Sequence, residues 1–197
     1  MTSTESEALL HTPGHVKHDG HNLTGFIIFL CSESIIFFAF FVGYGVLKIT
    51  APTWYPDGVT GIAVREPLIN TVILVSSSFV IYFAERYLHK KNYWGFRIVW
   101  LITMLMGSYF VYGQYVEWSE LTFSLSSGVF GGLFYLLTGF HGLHVITGIL
   151  LMGLMLYRSF IPGNYDKGEM GVESISLFWH FVDVIWIILF ILIYVWQ

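Results

Sequence analysis

Charge is what this chain has least of. Only 11% of its 197 residues are Asp, Glu, Lys or Arg, nine basic against thirteen acidic. An average soluble domain carries about a quarter. So few charges cannot cover a water-soluble protein of this size, which excludes an ordinary globular enzyme, a disordered chain and a basic nucleic-acid binder. Cysteine is nearly absent too. The single Cys31 excludes an internal disulfide and any site needing two thiolates from this chain. Nothing resembles a P-loop, a dinucleotide fingerprint or a hydrolase triad. No basic n-region with a short apolar core opens the chain, so no cleavable signal peptide is expected. Residues 1–23 read instead as a polar, His-rich tail.

What is abundant is apolar. Hydrophobic residues make up 55% of the chain and aromatic ones 19%. Five apolar runs, at 24–47, 67–88, 95–116, 128–157 and 172–196, are each long enough to cross a hydrocarbon core of about 30 Å. Helix is the conformation expected, because in lipid every backbone N–H and C=O must be paired within the segment. The expected fold is therefore all-α, one bundle of five transmembrane helices. The connecting segments hold the breakers: Pro52, Pro56, Gly58 and Gly61 in the first loop, Pro162-Gly163-Asn164 in the last. Orientation follows from the basic residues. Lys17, Arg86, Lys90, Lys91, Arg97, Arg158 and Lys167 lie on one side, Lys48 and Arg65 on the other. Seven against two predicts a cytoplasmic N-terminus.

Ionisable residues inside such runs are costly and become functional candidates. Glu33 lies roughly 14 Å into the first span at 1.5 Å per residue, flanked by Ser32 and Ser34. It reads either as a proton-exchanging carboxyl or as a neutral, hydrogen-bonded acid that fixes packing. The last span carries Glu173, Ser176, His180 and Asp183 on one helical face, and the fourth carries Thr138, His141 and His144. These stripes are expected to face each other or a partner protein, pairing His with acid. A proton path and a haem or metal site are the functional alternatives. His11, His15, His18 and His21 offer a metal site or a pH sensor, against the simpler reading of a polar segment at the membrane surface. Gly128 and Gly132 form a GxxxG, with Gly131, Gly139, Gly142, Gly148 and Gly153 beyond it, which predicts close helix packing.

The run from Ser174 through Trp179-His180-Phe181-Val182-Asp183 to Trp186 resembles the closing signature of subunit III of the haem–copper oxidases. The run Thr138-Gly139-Phe140-His141-Gly142-Leu143-His144 resembles its other signature, and Gly25 to Glu33 is similar to the family helix that carries a buried carboxyl. Pro67 to Thr71 and Gly128 to Gly131 also fit, so the similarity covers roughly residues 24–197. The resemblance implies a five-helix form of a subunit whose longer members have seven. The missing pair forms one wall of a lipid-holding cleft in those relatives, so here another chain supplies that wall or the cleft is incomplete. It implies that Glu33 matches a carbodiimide-reactive acid, that Arg158 matches a residue holding a lipid phosphate, and that His141, His144, Glu173, His180 and Asp183 match a polar bundle core. It implies no redox centre in this chain. Haem and copper would belong to partner subunits I and II, with subunit I in direct contact. Phospholipid would be bound, proton uptake supported, and cytochrome c would dock on the complex rather than on this chain. The membrane implied is a bacterial energy-transducing one, plasma or thylakoid-type. A ubiquinol oxidase subunit, the homologue attached to nitric oxide reductases, a proton-coupled transporter and a haem-binding electron carrier are the rival readings.

Overall fold

The structure, a computed structural model, describes residues 19–56, 58–165 and 169–196, with the side chains of 19–22 left out. His11, His15, His18 and the side chain of His21 therefore lie outside the described residues. Five helices follow one another: α1 (Asp19–Thr50), α2 (Arg65–His89), α3 (Tyr93–Glu120), α4 (Gly128–Arg158) and α5 (Met170–Phe190). A π turn at Ile191–Val195 closes the last, with Trp196 N–H donating to Ile191 O at 2.8 Å. All five are long and apolar enough to cross a membrane, and no strand occurs among the described residues. The expected spans lie within these helices to within a residue, and several helices run further. The extra turns carry polar residues such as Glu66 and Glu117 that apolar-run reading stops short of.

Short connections set the topology. Three residues join α2 to α3, and Lys91 turns the chain in the left-handed region at φ 56°. Asn92 then caps α3, its side chain accepting from Gly95 N–H at 3.0 Å. Helices joined this tightly pack antiparallel, and α2 and α3 do so along most of their length. In order, α3 meets α4, α4 meets α5, and α5 returns to α2, closing a ring of four. Helix α1 stands outside, against α5 and the edge of α4.

Burial grades accordingly. In its most apolar stretch, α5 is 56% buried and α1 only 11%. Burying a leucine between helices gains little in lipid, so association rests on close packing and interhelical hydrogen bonds. Trp179 supplies both. Its ring fills a slot between Gly107 on α3 and Gly148 on α4; a Cβ would come within 2.5 Å of it at Gly107 and 2.9 Å at Gly148. Its indole N–H donates to Ser77 Oγ on α2 at 2.8 Å. One side chain of α5 thereby touches every other helix of the ring.

The predicted GxxxG pair behaves differently. Gly128 has φ 84°, which favours glycine as the chain enters α4, and nothing lies within 4 Å of where its Cβ would be. Gly132 meets only the Leu125 carbonyl, at 3.6 Å. The close approaches between helices lie elsewhere: at Gly107 and Gly148 a Cβ would meet the Trp179 ring, and at Gly113 on α3 it would meet the Asn70 side chain of α2. Spacing along one helix does not reveal which face a bulky ring will enter.

Candidate functional site

Three polar clusters cross the apolar interior. The first joins α1 to α4. Glu33 Oε2 lies 3.3 Å from His144 Nε2, both side chains largely buried. His144 Nδ1 is 2.8 Å from Phe140 O. A carbonyl only accepts, so Nδ1 carries a proton. Nε2 is then either bare, receiving a proton from the Glu33 carboxyl, or protonated against a carboxylate. Either way one proton lies between acid and imidazole. Phe37 and Phe140 pack edge-on against the imidazole, and Phe178 lies parallel to it, so the ring is held among aromatic side chains. The hydroxyls of Ser32 and Ser34 bond back to their own helix, at Phe29 O and Leu30 O, and leave Glu33 to His144.

The second cluster joins α2 to α5. Ser78 Oγ donates to Asp183 Oδ2 and lies 2.9 Å from His180 Nδ1. A hydroxyl has one proton, so His180 Nδ1–H is the donor to Ser78, and the chain runs imidazole to hydroxyl to carboxylate. Beside it Trp186 N–H donates to Thr71 Oγ1 at 2.8 Å. In α5, His180 and Asp183 thus face α2, rather than the α4 stripe or a partner protein as expected. The 3.6-residue period turns His144 toward α1, while the hydroxyl-rich face of α2 takes His180 and Asp183. His141 has neither partner. It is fully buried, both ring nitrogens lack a hydrogen bond, and it packs on Trp186 with centroids 4.8 Å apart.

The third cluster was missed in the sequence. Tyr194 OH donates to Glu117 Oε1 at 2.8 Å, and Gln114 Nε2 donates to Glu117 Oε2 at 3.0 Å. Ending the third apolar run at residue 116 consigned Glu117 to a loop. Ser77 and Ser78 were missed as well, although three consecutive serines, Ser76 to Ser78, inside an apolar run were the available signal.

Two candidates sit apart from the interior. Glu173 is exposed in the first turn of α5, so its expected place in the polar core is corrected. Arg158 is exposed at the end of α4, its guanidinium donating to Asn164 Oδ1 at 3.3 Å. Nearby, Arg97 binds the backbone and hydroxyl of Ser159 and lies over the Phe160 ring. Burial pushes the Tyr165 hydroxyl in this loop above its usual range, against the pull of Arg158 and then Arg97. Its proton goes to Met155 O at 2.7 Å.

Fold and site together define a polytopic helical membrane protein whose interior carboxyls are matched to imidazoles and hydroxyls. The family profile described as cytochrome c oxidase subunit III matches residues 4–197. The chain is 41% identical over 189 residues to cytochrome c oxidase subunit 3 of Synechocystis sp. (strain ATCC 27184 / PCC 6803 / Kazusa), covering 93% of this chain and 81% of that protein. It is 43% identical over 180 residues to that of Thermostichus vulcanus, covering 91% and 89%. Against the Rattus norvegicus protein it is 37% identical over 179 residues, 87% of this chain but 68% of that one. The chain belongs to the cytochrome c oxidase subunit III family.

Proposed function

We propose that this chain is the non-catalytic subunit III of a proton-pumping cytochrome c oxidase, packed on subunit I in a complex that also holds subunit II. Its role is to steady subunit I, hold phospholipid and support proton uptake while the complex reduces O2 to water. Haem and copper are assigned to the partner subunits. This chain's His144 and His180 are already bonded to its own groups, and His141 is packed against Trp186. The N-terminus is assigned to the cytoplasm, and the membrane to a bacterial plasma or thylakoid-type one. Arg158, at a helix end and exposed, is assigned a lipid phosphate. A ubiquinol donor, or attachment to a nitric oxide reductase, are the neighbouring readings.

The observation that carries the proposal is the placing of Glu33. Its carboxyl is tied to the bundle through His144, on a helix whose outer face is left bare: Ile28, Ile35 and Phe38 are 65%, 69% and 66% exposed. A shared proton behind an unpartnered apolar helix suits a subunit that attends a partner's chemistry. The test is a tag pull-down in mild detergent with a reduced-minus-oxidised optical spectrum and metal analysis. Haem and copper that stay with a larger partner when this chain is stripped away support the proposal. Iron without copper moves it to the nitric oxide reductase branch. A colourless, partner-free chain that takes up solute in proteoliposomes overturns it in favour of a transporter.

A further inference from the structure

One group of ligating side chains plays no part in the clusters above. It lies where the end of α2 meets the start of α5. His89 is the last residue of α2, Glu169 immediately precedes α5, and Glu173 stands in its first turn. One ligand atom from each of the three lies within 4.8 Å of the others. His89 Nδ1 is 2.5 Å from Glu169 Oε2, and that oxygen is cut off from solvent yet receives no hydrogen bond. That contact is an ion pair when the imidazole carries a second proton; with the proton displaced, the same nitrogen and oxygen can open around one cation together with Glu173. Two carboxylates at this separation repel each other. Among the described residues neither Lys nor Arg pairs with them.

The frame beneath the cluster is firm. Val172 N–H and Glu173 N–H donate to Glu169 O at 2.8 and 3.1 Å, so the two acids sit one turn apart on one face of the helix. Leu88 and Val172, beside the ligating residues, are buried. The carbonyl end of α2 adds a field that favours positive charge beside His89.

We propose that His89, Glu169 and Glu173 form a binding site for a first-row divalent cation, zinc being the best match to one imidazole and two carboxylates, with a remaining position for water. The cation neutralises the two acids and clamps the end of α2 to the start of α5 at the membrane surface. It carries no redox step. The inference stands on these three residues and is independent of the role proposed for the subunit.

The test uses the intact complex that contains this chain, stripped with a chelator and titrated with ZnCl2. Bound zinc is counted by mass spectrometry. His89→Ala and Glu173→Gln each alter an exposed side chain and leave the buried clusters alone. Each is expected to bind one zinc fewer than the parent, or to bind it about tenfold more weakly or worse. Zinc-edge X-ray absorption of the parent minus the His89→Ala variant is expected to show one imidazole with oxygen ligands. Equal zinc stoichiometry and affinity in parent and variants overturn the site. If one variant assembles poorly, the other decides. A parent spectrum with sulfur or several imidazoles, unchanged by the substitutions, also overturns it.

Discussion

At the scale of the residue, the Glu33–His144 pair carries the sharpest expectation. A side-chain amide in place of the carboxyl still donates to Nε2, so Glu33→Gln keeps the contact and removes the exchangeable proton. Assembly and initial O2 reduction should be nearly unchanged, while proton uptake during sustained turnover slows. The infrared band of a protonated carboxyl, if present in the parent, should vanish. Complete loss of turnover in a fully assembled complex would remove the accessory role from Glu33. Asp183 is the contrasting case. Asp183→Leu strips Ser78 of its acceptor and leaves the hydroxyl proton unpaired in an apolar interface, at a cost of about 1–3 kcal/mol. Asp183→Asn keeps an acceptor oxygen and should cost clearly less. The yield of assembled complex and its thermal midpoint measure both. Normal assembly of the Leu variant with lost pumping would indicate a relay instead. The sequence showed that these groups lie at membrane depth, because an acid or a histidine in an apolar run stands out. It did not show their partners. Serine is common in membrane helices, so Ser78 drew no notice until the fold set it between His180 and Asp183.

At the scale of the element, the five spans were legible because lipid leaves a segment of some twenty apolar residues little choice but helix. Their faces were not. The glycines of α4 all read as packing positions, yet they differ in what stands opposite. Gly148 faces the Trp179 ring, whereas Gly142 has open space. Gly148→Ala should therefore overpack the slot and cost about 1–3 kcal/mol. Gly142→Ala should be neutral, or stabilising by up to about 1 kcal/mol through the better helix propensity of alanine. Thermal denaturation of the two variants side by side checks this. An equal loss in both would mean that the Trp179 slot is not what fixes α4 against α5.

At the scale of the whole molecule, the asymmetry between α1 and α5 matters most. Helix α5 is the most buried of the five, while α1 lies along the outside with apolar side chains on nearly every side. A helix apolar all round is at home only in lipid or within a larger assembly. The single cysteine makes this testable, because Cys31 is free and exposed on α1, two residues from Glu33. A step of two residues turns about 200° around a helix, so Cys31 projects away from the face that holds His144. A nitroxide attached to Cys31 in membranes should therefore be relaxed strongly by dissolved oxygen, which concentrates in the hydrocarbon, and hardly at all by a water-soluble nickel chelate. Its motion should also slow when the rest of the oxidase is present, if a partner packs on that face. Ready access by the nickel chelate would place residue 31 in water. That result would overturn the transmembrane placement of α1 and, with it, the membrane setting of the Glu33–His144 proton.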